Sequence, residues 1–286
     1  MNPINDKNEV RKQYSSSTGL NTRISIHDKY SINKMGFGNW IYSHYEIKDG
    51  MKVLELGCGT GSMWVGHEEM IRACGKLVLS DFSEAMTDVA KKNIGEAPNI
   101  EYKRIDIMDI PYEEDTFDVV IANMMLYHVP DLSQGLSEVR RVLKPEGIFY
   151  CATFGIHGIM EYLSELLSGF GVKDTTNKNF TLQNGEAILG EFFSGIRKEE
   201  YEDALEVTDI DDLIDYIYSL QSMTSLGSIP REEVREKLTA HMENGVLHVP
   251  KEYGMFISKE KWTEKFFEKE INAQNHVEIL EKAEDV

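Results

Sequence analysis

The residues best suited to chemistry in this sequence are a carboxylate and three alternating glycines. Glu55 lies near the end of the short apolar run at residues 51–56, and Gly57, Gly59 and Gly61 follow it. Glycines in a strand-to-helix turn allow positive φ angles and let a ligand lie against bare backbone. A carboxylate at this point repels a pyrophosphate and attracts a ligand that carries an ammonium and a sulfonium group. The stretch therefore points away from NAD.

The spacing after the second glycine supports the same conclusion. The dinucleotide fingerprint requires glycine or alanine three residues after Gly59, and this chain has Ser62 there. The stretch Val-Leu-Glu-Leu-Gly-Cys-Gly-Thr-Gly at residues 53–61 is similar to motif I of the class I S-adenosylmethionine (SAM)-dependent methyltransferases. The resemblance implies that Glu55 and the backbone from Gly57 through Cys58 to Gly61 hold the methionine end of SAM as the cofactor.

A second carboxylate follows the second predicted strand. Asp81 lies twenty positions after Gly61, at the end of the strand at residues 76–80. An acidic residue there is placed to accept hydrogen bonds from two ribose hydroxyls, a geometry shared by NAD and SAM sites. The alternative is an ordinary helix N-cap, a role that Ser83 can also fill. We favour the ribose role, which would let Phe82 pack on the adenine face.

A third carboxylate is assigned by the resemblance. Methyltransferases of this class commonly have an aspartate after the third strand that accepts from the adenine amine, and the next backbone N–H reaches a ring nitrogen. The matching residues here are Asp106 and Ile107. Asp109 is the competing carboxylate, but Pro111 follows it and favours a turn.

The loop after the fourth predicted strand carries the candidates for acceptor chemistry. Residues 115–131 resemble the family's fourth strand and the loop where the methionine part of SAM meets the methyl acceptor. Asn123 is expected close to the cofactor, and Tyr127 and His128 are the candidate catalytic or substrate-contacting residues. His128 has two interpretations, because a lone histidine beside apolar neighbours is more often a packing residue than a general base.

Four segments within residues 53–153 match this family in order and spacing, which is far more specific than the glycine turn alone. The resemblance is to the small-molecule branch that includes the ubiquinone and menaquinone biosynthesis type. It implies an α/β fold, a Rossmann-like doubly wound sheet of seven strands, six parallel and the last antiparallel. Helices should cover both faces, and the cofactor should lie across the carboxyl ends of the strands.

We predict a single domain over residues 1–286. Residues 1–45 form a helical arm that is either frayed or a lid over the cofactor, with Tyr14 and Arg23 as contacts. Residues 46–155 form the SAM-binding core, with a crossover helix at 62–74. Residues 156–250 add helical cap elements and strand six, an edge strand at 196–207. Residues 251–286 form the last strand and a C-terminal helix.

Composition limits the partners. The chain has 286 residues, with 30 Lys plus Arg against 49 Asp plus Glu, and a formal net charge of −19. Because a polyanion would be repelled at long range, we expect no nucleic-acid substrate. Three cysteines without a C-x-x-C pair suggest reduced thiols and no metal site. No apolar run approaches ~18 residues, so we expect a cytoplasmic protein without a membrane partner, as a monomer or homodimer.

The predicted function is transfer of a methyl group from SAM to a small-molecule acceptor by in-line attack, which produces S-adenosylhomocysteine. Two alternatives remain at this point. An RNA or protein methyltransferase would need a recognition surface such as a basic groove. A SAM-binding module without transfer activity, or an aminopropyl-transferring relative, would release no S-adenosylhomocysteine. The sequence identifies neither the acceptor nor its reacting atom.

Overall fold

A seven-stranded mixed sheet forms the centre of the protein, whose computed structural model describes residues 25–220, 223 and 229–260. Its strands, in spatial order, are β3, β2, β1, β4, β5, β9 and β6. Their bounds are β1 Lys52–Leu56, β2 Lys76–Asp81, β3 Ile100–Arg104, β4 Phe117–Ile121, β5 Leu143–Phe154, β6 Gly195–Tyr201 and β9 Tyr253–Lys259. β9 pairs antiparallel with both β5 and β6. The predicted arrangement of six parallel strands with the last antiparallel is confirmed.

Alternate residues of the central strands enter different apolar clusters on the two faces of the sheet. Val53 of β1 and Val119 of β4 belong to one cluster, whereas Leu54 and Val120 belong to the other. Side chains of a strand alternate between faces, so a strand covered on both faces must be apolar throughout. This burial explains the continuous apolar runs of the sequence.

Helices connect the strands on both faces. Their bounds are α1 Phe37–Ser43, α2 Glu68–Ala73, α3 Glu84–Ile94, α4 Leu132–Val142, α5 Ile159–Leu166, α6 Gly185–Leu189, α7 Ile210–Ser219 and α8 Arg231–Thr239, and residues 25–30 are also helical. Single 3-10 turns occupy Ser62–Trp64, Leu126–His128 and Ser168–Phe170. None of the helices among the described residues combines the length and apolar character needed to cross a membrane.

The crossover predicted as one helix at residues 62–74 is wrong in detail. A 3-10 turn, Ser62–Trp64, comes first, and α2 begins only at Glu68. The break lies at Val65, which is extended, and at Gly66, which has a φ of 84°. A glycine in this left-handed conformation cannot continue a right-handed helix. The six-residue helix α2 therefore does not begin at the glycine turn.

The edge strand predicted at residues 196–207 is confirmed as β6 at the edge of the sheet, but its predicted length is wrong, because β6 ends at Tyr201. The chain forms β6, turns, and then forms β7, Ala204–Val207, which pairs antiparallel with β8, Leu247–Pro250, in a separate two-stranded sheet. Asp203 lies in the turn with a side chain that is 0% exposed. It accepts hydrogen bonds from the Ser31 hydroxyl and the Asn33 backbone N–H, and it pairs with Lys251. This buried ion pair holds the turn in place, so the chain leaves the sheet there.

A separate apolar cluster lies where helical cap elements were predicted. It joins buried residues of α5, α7 and α8 with those of β7 and β8. Leu163, Leu213, Val234 and Leu205 are each fully buried in it. The division into an arm, a core, a cap and a C-terminal segment stays a prediction. Tyr14 and Arg23 lie outside the described residues, and so does the predicted C-terminal helix after Glu260. The last strand predicted within residues 251–286 is β9.

Candidate functional site

The glycine turn after β1 is the backbone of the candidate site. Gly57, Gly59 and Gly61 have φ angles of 71°, 54° and 73°, in the region that favours glycine. They differ in their surroundings. A Cβ added at Gly57 would meet the Met125 side chain at 2.9 Å, and one at Gly61 would meet helix α3. At Gly59 no other atom would lie within 4 Å. Gly59 therefore lies against open space, as a backbone that receives a ligand requires.

This difference predicts opposite effects of two alanine substitutions. Gly61→Ala places a Cβ 2.6 Å from Ile94 Cδ1 and 3.0 Å from Ala90 Cβ. We expect it to lower the free energy of unfolding by ~2–3 kcal/mol, from backbone strain plus overpacking. Gly59→Ala adds backbone strain alone, about 1 kcal/mol, but should weaken SAM binding ~10-fold by filling the ligand space. Thermal unfolding and calorimetric titration with SAM separate the two effects; the same loss in both variants would contradict this assignment.

Glu55 is buried next to the glycine turn, and its carboxylate is hydrogen-bonded to the indole of Trp64. Glu55 is 2% exposed, and its Oε2 accepts a hydrogen bond from Trp64 Nε1 at 2.6 Å. Burial raises the pKa of Glu55 to about 7, the indole hydrogen bond opposes this rise, and the Asp81 charge adds to it. A bound cation would stabilise the ionised carboxylate. Trp64 therefore fixes the orientation of this carboxylate, and its contact with a positively charged group stays a prediction.

Asp81 joins the end of β2 to the glycine turn. Its Oδ2 accepts from the Gly59 backbone N–H at 3.0 Å, and its Oδ1 accepts from the Ser83 backbone N–H at 2.8 Å. Burial raises the pKa of Asp81, and these two backbone bonds oppose the rise. Ser83 occupies the N-cap position of α3, but its side chain makes no capping bond. Asp81 thus orders the turn before α3 and keeps lone pairs available, since each carboxylate oxygen can accept more than one bond.

The residues assigned to adenine follow β3. The Ile105 backbone N–H donates to the Asp81 carbonyl at 3.1 Å, which brings the ends of β2 and β3 together. Asp106 Oδ1 accepts from the Met108 backbone N–H at 3.1 Å. The Asp109 backbone N–H donates to the Asp106 carbonyl at 3.0 Å, so Asp109 closes a tight turn, as expected. The Ile107 residue is buried in the core of the sheet. Its predicted contact to adenine would be made by the backbone.

Phe82 directly follows β2, beside the end of β3. The guanidinium of Arg104 is 5.3 Å from the centre of its ring, and Arg104 Nε donates to the Phe82 carbonyl at 3.1 Å. The arrangement is a cation–π contact. An adenine that packs on Phe82 would have to share the ring with Arg104.

Asn123 follows the carboxyl end of β4, next to β1. Its Nδ2 donates to the Tyr45 hydroxyl at 2.6 Å, and its Oδ1 accepts from the Ala152 backbone N–H at 3.1 Å. Met124, the next residue, has a φ of 53°, which is uncommon outside glycine and asparagine. Strained backbone is frequent in ligand-binding loops. Asn123 thus fixes the point where the loop leaves β4.

Tyr127 and His128 lie farther along this loop, in the 3-10 turn Leu126–His128. The Tyr127 ring packs against His128 at 4.5 Å and edge to face against Phe154 at 4.9 Å between ring centres. Burial lowers the pKa of His128 to about 4. A histidine with this pKa is neutral at pH 7 and accepts protons more weakly than an ordinary one. The base and substrate-contact roles of the two residues stay predictions.

The structure brings together most of the predicted cofactor residues. Glu55 pairs in register with Leu79 of β2 and Ile121 of β4, so the ends of the central strands meet beside the glycine turn. SAM carries a group that matches each part of this site. Its ammonium suits the carboxylate that attracts cations, its methionine tail suits the open glycine, and its ribose suits the carboxylate at the end of the second strand. The residues present therefore fit SAM. Among the described residues, no group of three His, Cys, Asp or Glu side chains is arranged to hold a metal.

Two residues of this site escaped the sequence analysis. Trp64 is 1% exposed and donates a hydrogen bond to Glu55. The Tyr45 hydroxyl accepts a hydrogen bond from the Asn123 amide. Trp64 could have been predicted from the sequence, because a buried carboxylate needs a hydrogen-bond donor and a buried indole needs an acceptor. Tyr45 carried no comparable signal among the many aromatic residues near it.

Comparison with known proteins agrees with this geometry. Residues 54–151 match a family described as a methyltransferase domain. A demethylmenaquinone methyltransferase of Lysinibacillus sphaericus is 35% identical over 117 residues, which are 41% of this chain and 50% of the relative. One of Staphylococcus saprophyticus is 33% identical over 149 residues, 51% of this chain and 62% of the relative. The chain thus spans about half the length of the curated relatives that it matches.

Solved structures share the fold. A candidate methyltransferase from Bacillus halodurans C-125 superposes with a TM-score of 0.55 at 14% identity, over 79% of this chain and 99% of that one. A Haemonchus contortus phosphoethanolamine N-methyltransferase, in complex with phosphomonomethylethanolamine and S-adenosylhomocysteine, has a TM-score of 0.53 at 18% identity, over 88% of this chain and 59% of that one. Residues 54–151 of this protein therefore match a methyltransferase domain, and the chain resembles class I SAM-dependent methyltransferases of the menaquinone-biosynthesis type.

Proposed function

We propose that this protein transfers a methyl group from SAM to a small-molecule acceptor. The observation that carries the proposal is the convergence of Glu55, open Gly59 and Asp81 at one edge of the sheet. This set suits a cationic nucleoside and disfavours a dinucleotide, whose pyrophosphate would face the buried carboxylate. The relatives are named for demethylmenaquinone, which makes this compound one candidate acceptor.

SAM supplies an activated methyl group on sulfur, so the protein has mainly to bind, align and exclude water. Glu55 and the glycine-turn backbone would hold the methionine end. Asp81 would hold the ribose, and Asp106 with the Ile107 backbone would hold the adenine. Asn123 would fix the loop after β4, so that an acceptor beside Tyr127 attacks the methyl carbon in line with the carbon–sulfur bond.

A small-molecule acceptor is favoured over RNA by the charge of the chain. Its formal net charge of −19 opposes the approach of a polyanion. If the acceptor were a protein, the reaction would yield a methylated protein. If the chain only bound SAM, no S-adenosylhomocysteine would form. A monomer or homodimer without a membrane partner, located in the cytoplasm, is the setting we propose.

The test is a binding and turnover experiment on the full chain. Calorimetric titrations should show SAM and S-adenosylhomocysteine binding at micromolar concentrations and no comparable binding of NAD. S-adenosylhomocysteine release should then be measured against a pool of small metabolites, including demethylmenaquinone. Failure to bind SAM, or tighter binding of NAD, would refute the proposal. Binding of SAM without release from any acceptor would favour a binding module.

A further inference from the structure

A cleft opens beside the carboxyl end of β5, one strand beyond β4. Much of its wall is apolar or aromatic, and these residues come from the end of β5, from α5, from α7 and from the start of β9: Phe154, Ile159, Met160, Tyr216 and Tyr253. The Phe154 ring also contacts Tyr127 of the loop after β4. The cleft therefore borders the loop where the acceptor is proposed to meet the cofactor.

A carboxylate is built into this cleft by uncharged donors. Glu252 Oε2 accepts from the His157 backbone N–H at 2.6 Å, and Oε1 accepts from Gln183 Nε2 at 2.7 Å. Gly155 permits this arrangement, since a Cβ there would lie 1.9 Å from Oε2. Within the described ranges, no lysine or arginine side chain forms an ion pair with Glu252. Two uncharged donors therefore hold its negative charge in a fixed position. In the part of the chain that the structure describes, hydrogen bonds to other carboxylates raise the pKa of His157 and of Lys198, and the Glu252 charge adds to both rises.

The other charges of the cleft balance each other. Asp174 and Lys178 both line it, and they pair at 2.9 Å. The His157 imidazole, beside the cleft, faces Glu161 at 2.9 Å. Glu252 therefore gives the cleft an excess negative charge, next to aromatic rings whose faces also attract cations.

We propose that this cleft recognises an acceptor that carries a positively charged nitrogen. Glu252 would pair with the ammonium group beside the rings of Phe154 and Tyr216. The Tyr253 ring already has the Lys251 ammonium 5.4 Å from its centre. The ammonium is a recognition group that stays protonated, so the methyl group goes to a different atom of the acceptor. The inference rests on the proposed methyl transfer, and it predicts an acceptor unlike the demethylmenaquinone named for the relatives.

The test compares two probes of nearly equal shape, 2-phenylethylamine and 2-phenylethanol, which differ in the charged group. Calorimetry on the full chain in the presence of S-adenosylhomocysteine should show that the amine binds ~10-fold more tightly than the alcohol. In Glu252→Gln this preference should disappear, because an amide keeps an oxygen that accepts hydrogen bonds but carries no charge. Glu243→Gln, an exposed change before β8, is the control and should keep the preference.

SAM affinity separates this inference from the proposed function. It should be the same in the wild type and in Glu252→Gln, because the cleft lies outside the glycine turn. Equal binding of the two probes, binding of neither at millimolar concentration, or a preference that survives in Glu252→Gln would each overturn the assignment of the cleft. In those cases SAM binding would still stand, whereas loss of SAM binding in the wild type would refute the proposed function instead.

Discussion

The Glu55→Gln variant is expected to lose most of the pH dependence of SAM binding that the wild type shows. Burial raises the pKa of Glu55 to about 7, so about a tenth of the carboxylate is ionised at pH 6 and nearly all at pH 8. The ionised form attracts the ammonium and sulfonium of SAM. Wild-type affinity should therefore rise ~10-fold between pH 6 and pH 8, measured by calorimetry, whereas the variant should bind weakly and nearly uniformly.

The same residue predicts a pH-dependent stability without ligand. Its folded pKa, about 7, lies above the ordinary value of 4.5, so the folded state holds the proton more tightly than the unfolded state. Its stabilising contribution is fully present below pH 4.5 and is lost as the pH rises to 7, by on the order of 3 kcal/mol. Glu55→Gln should remove this loss and keep an acceptor for Trp64. Unfolding curves at pH 5 and 8 check it, with exposed Glu84→Gln as control; parallel shifts in variant and wild type would contradict it.

Asp81→Asn should weaken SAM binding by ~100-fold. The carboxylate is proposed to accept from two ribose hydroxyls, and charge-assisted bonds contribute about 1.5–3 kcal/mol each. An amide keeps one acceptor oxygen and presents an NH₂ group where the Gly59 N–H now donates. The loss therefore combines a weaker ribose contact with a looser glycine turn. Calorimetric titration of SAM measures it directly.

Two controls isolate this effect. Asp88→Asn removes an exposed carboxylate from the following helix, α3, and should leave SAM affinity within a factor of about two. Adenine alone, which lacks ribose, should bind the wild type and Asp81→Asn with similar affinity. SAM affinity that is unchanged in Asp81→Asn would remove this residue from the ribose role.

The sheet was predictable because its strands are buried on both faces and therefore consist of apolar runs that end in recognisable polar residues. The crossover at residues 62–74 was predicted as one helix because apolar spacing resembles a helix there, but Gly66 interrupts it. The β7–β8 pair was missed because its register depends on the buried Asp203–Lys251 pair, whose members are far apart in sequence. Local patterns carry no information on such a contact.

The candidate site shows the same division. The residue types that suit SAM could be read from the sequence, since Glu55, the glycines and Asp81 lie at or just after strand ends whose positions are set by local patterns. Three features required the folded chain: which glycine lies against open space, the hydrogen bond from Trp64 to Glu55, and the position of Glu252 in a cleft near Tyr127. The physical reason is that burial and hydrogen-bond partners, which set the charge state and reach of a side chain, are supplied by segments distant along the chain.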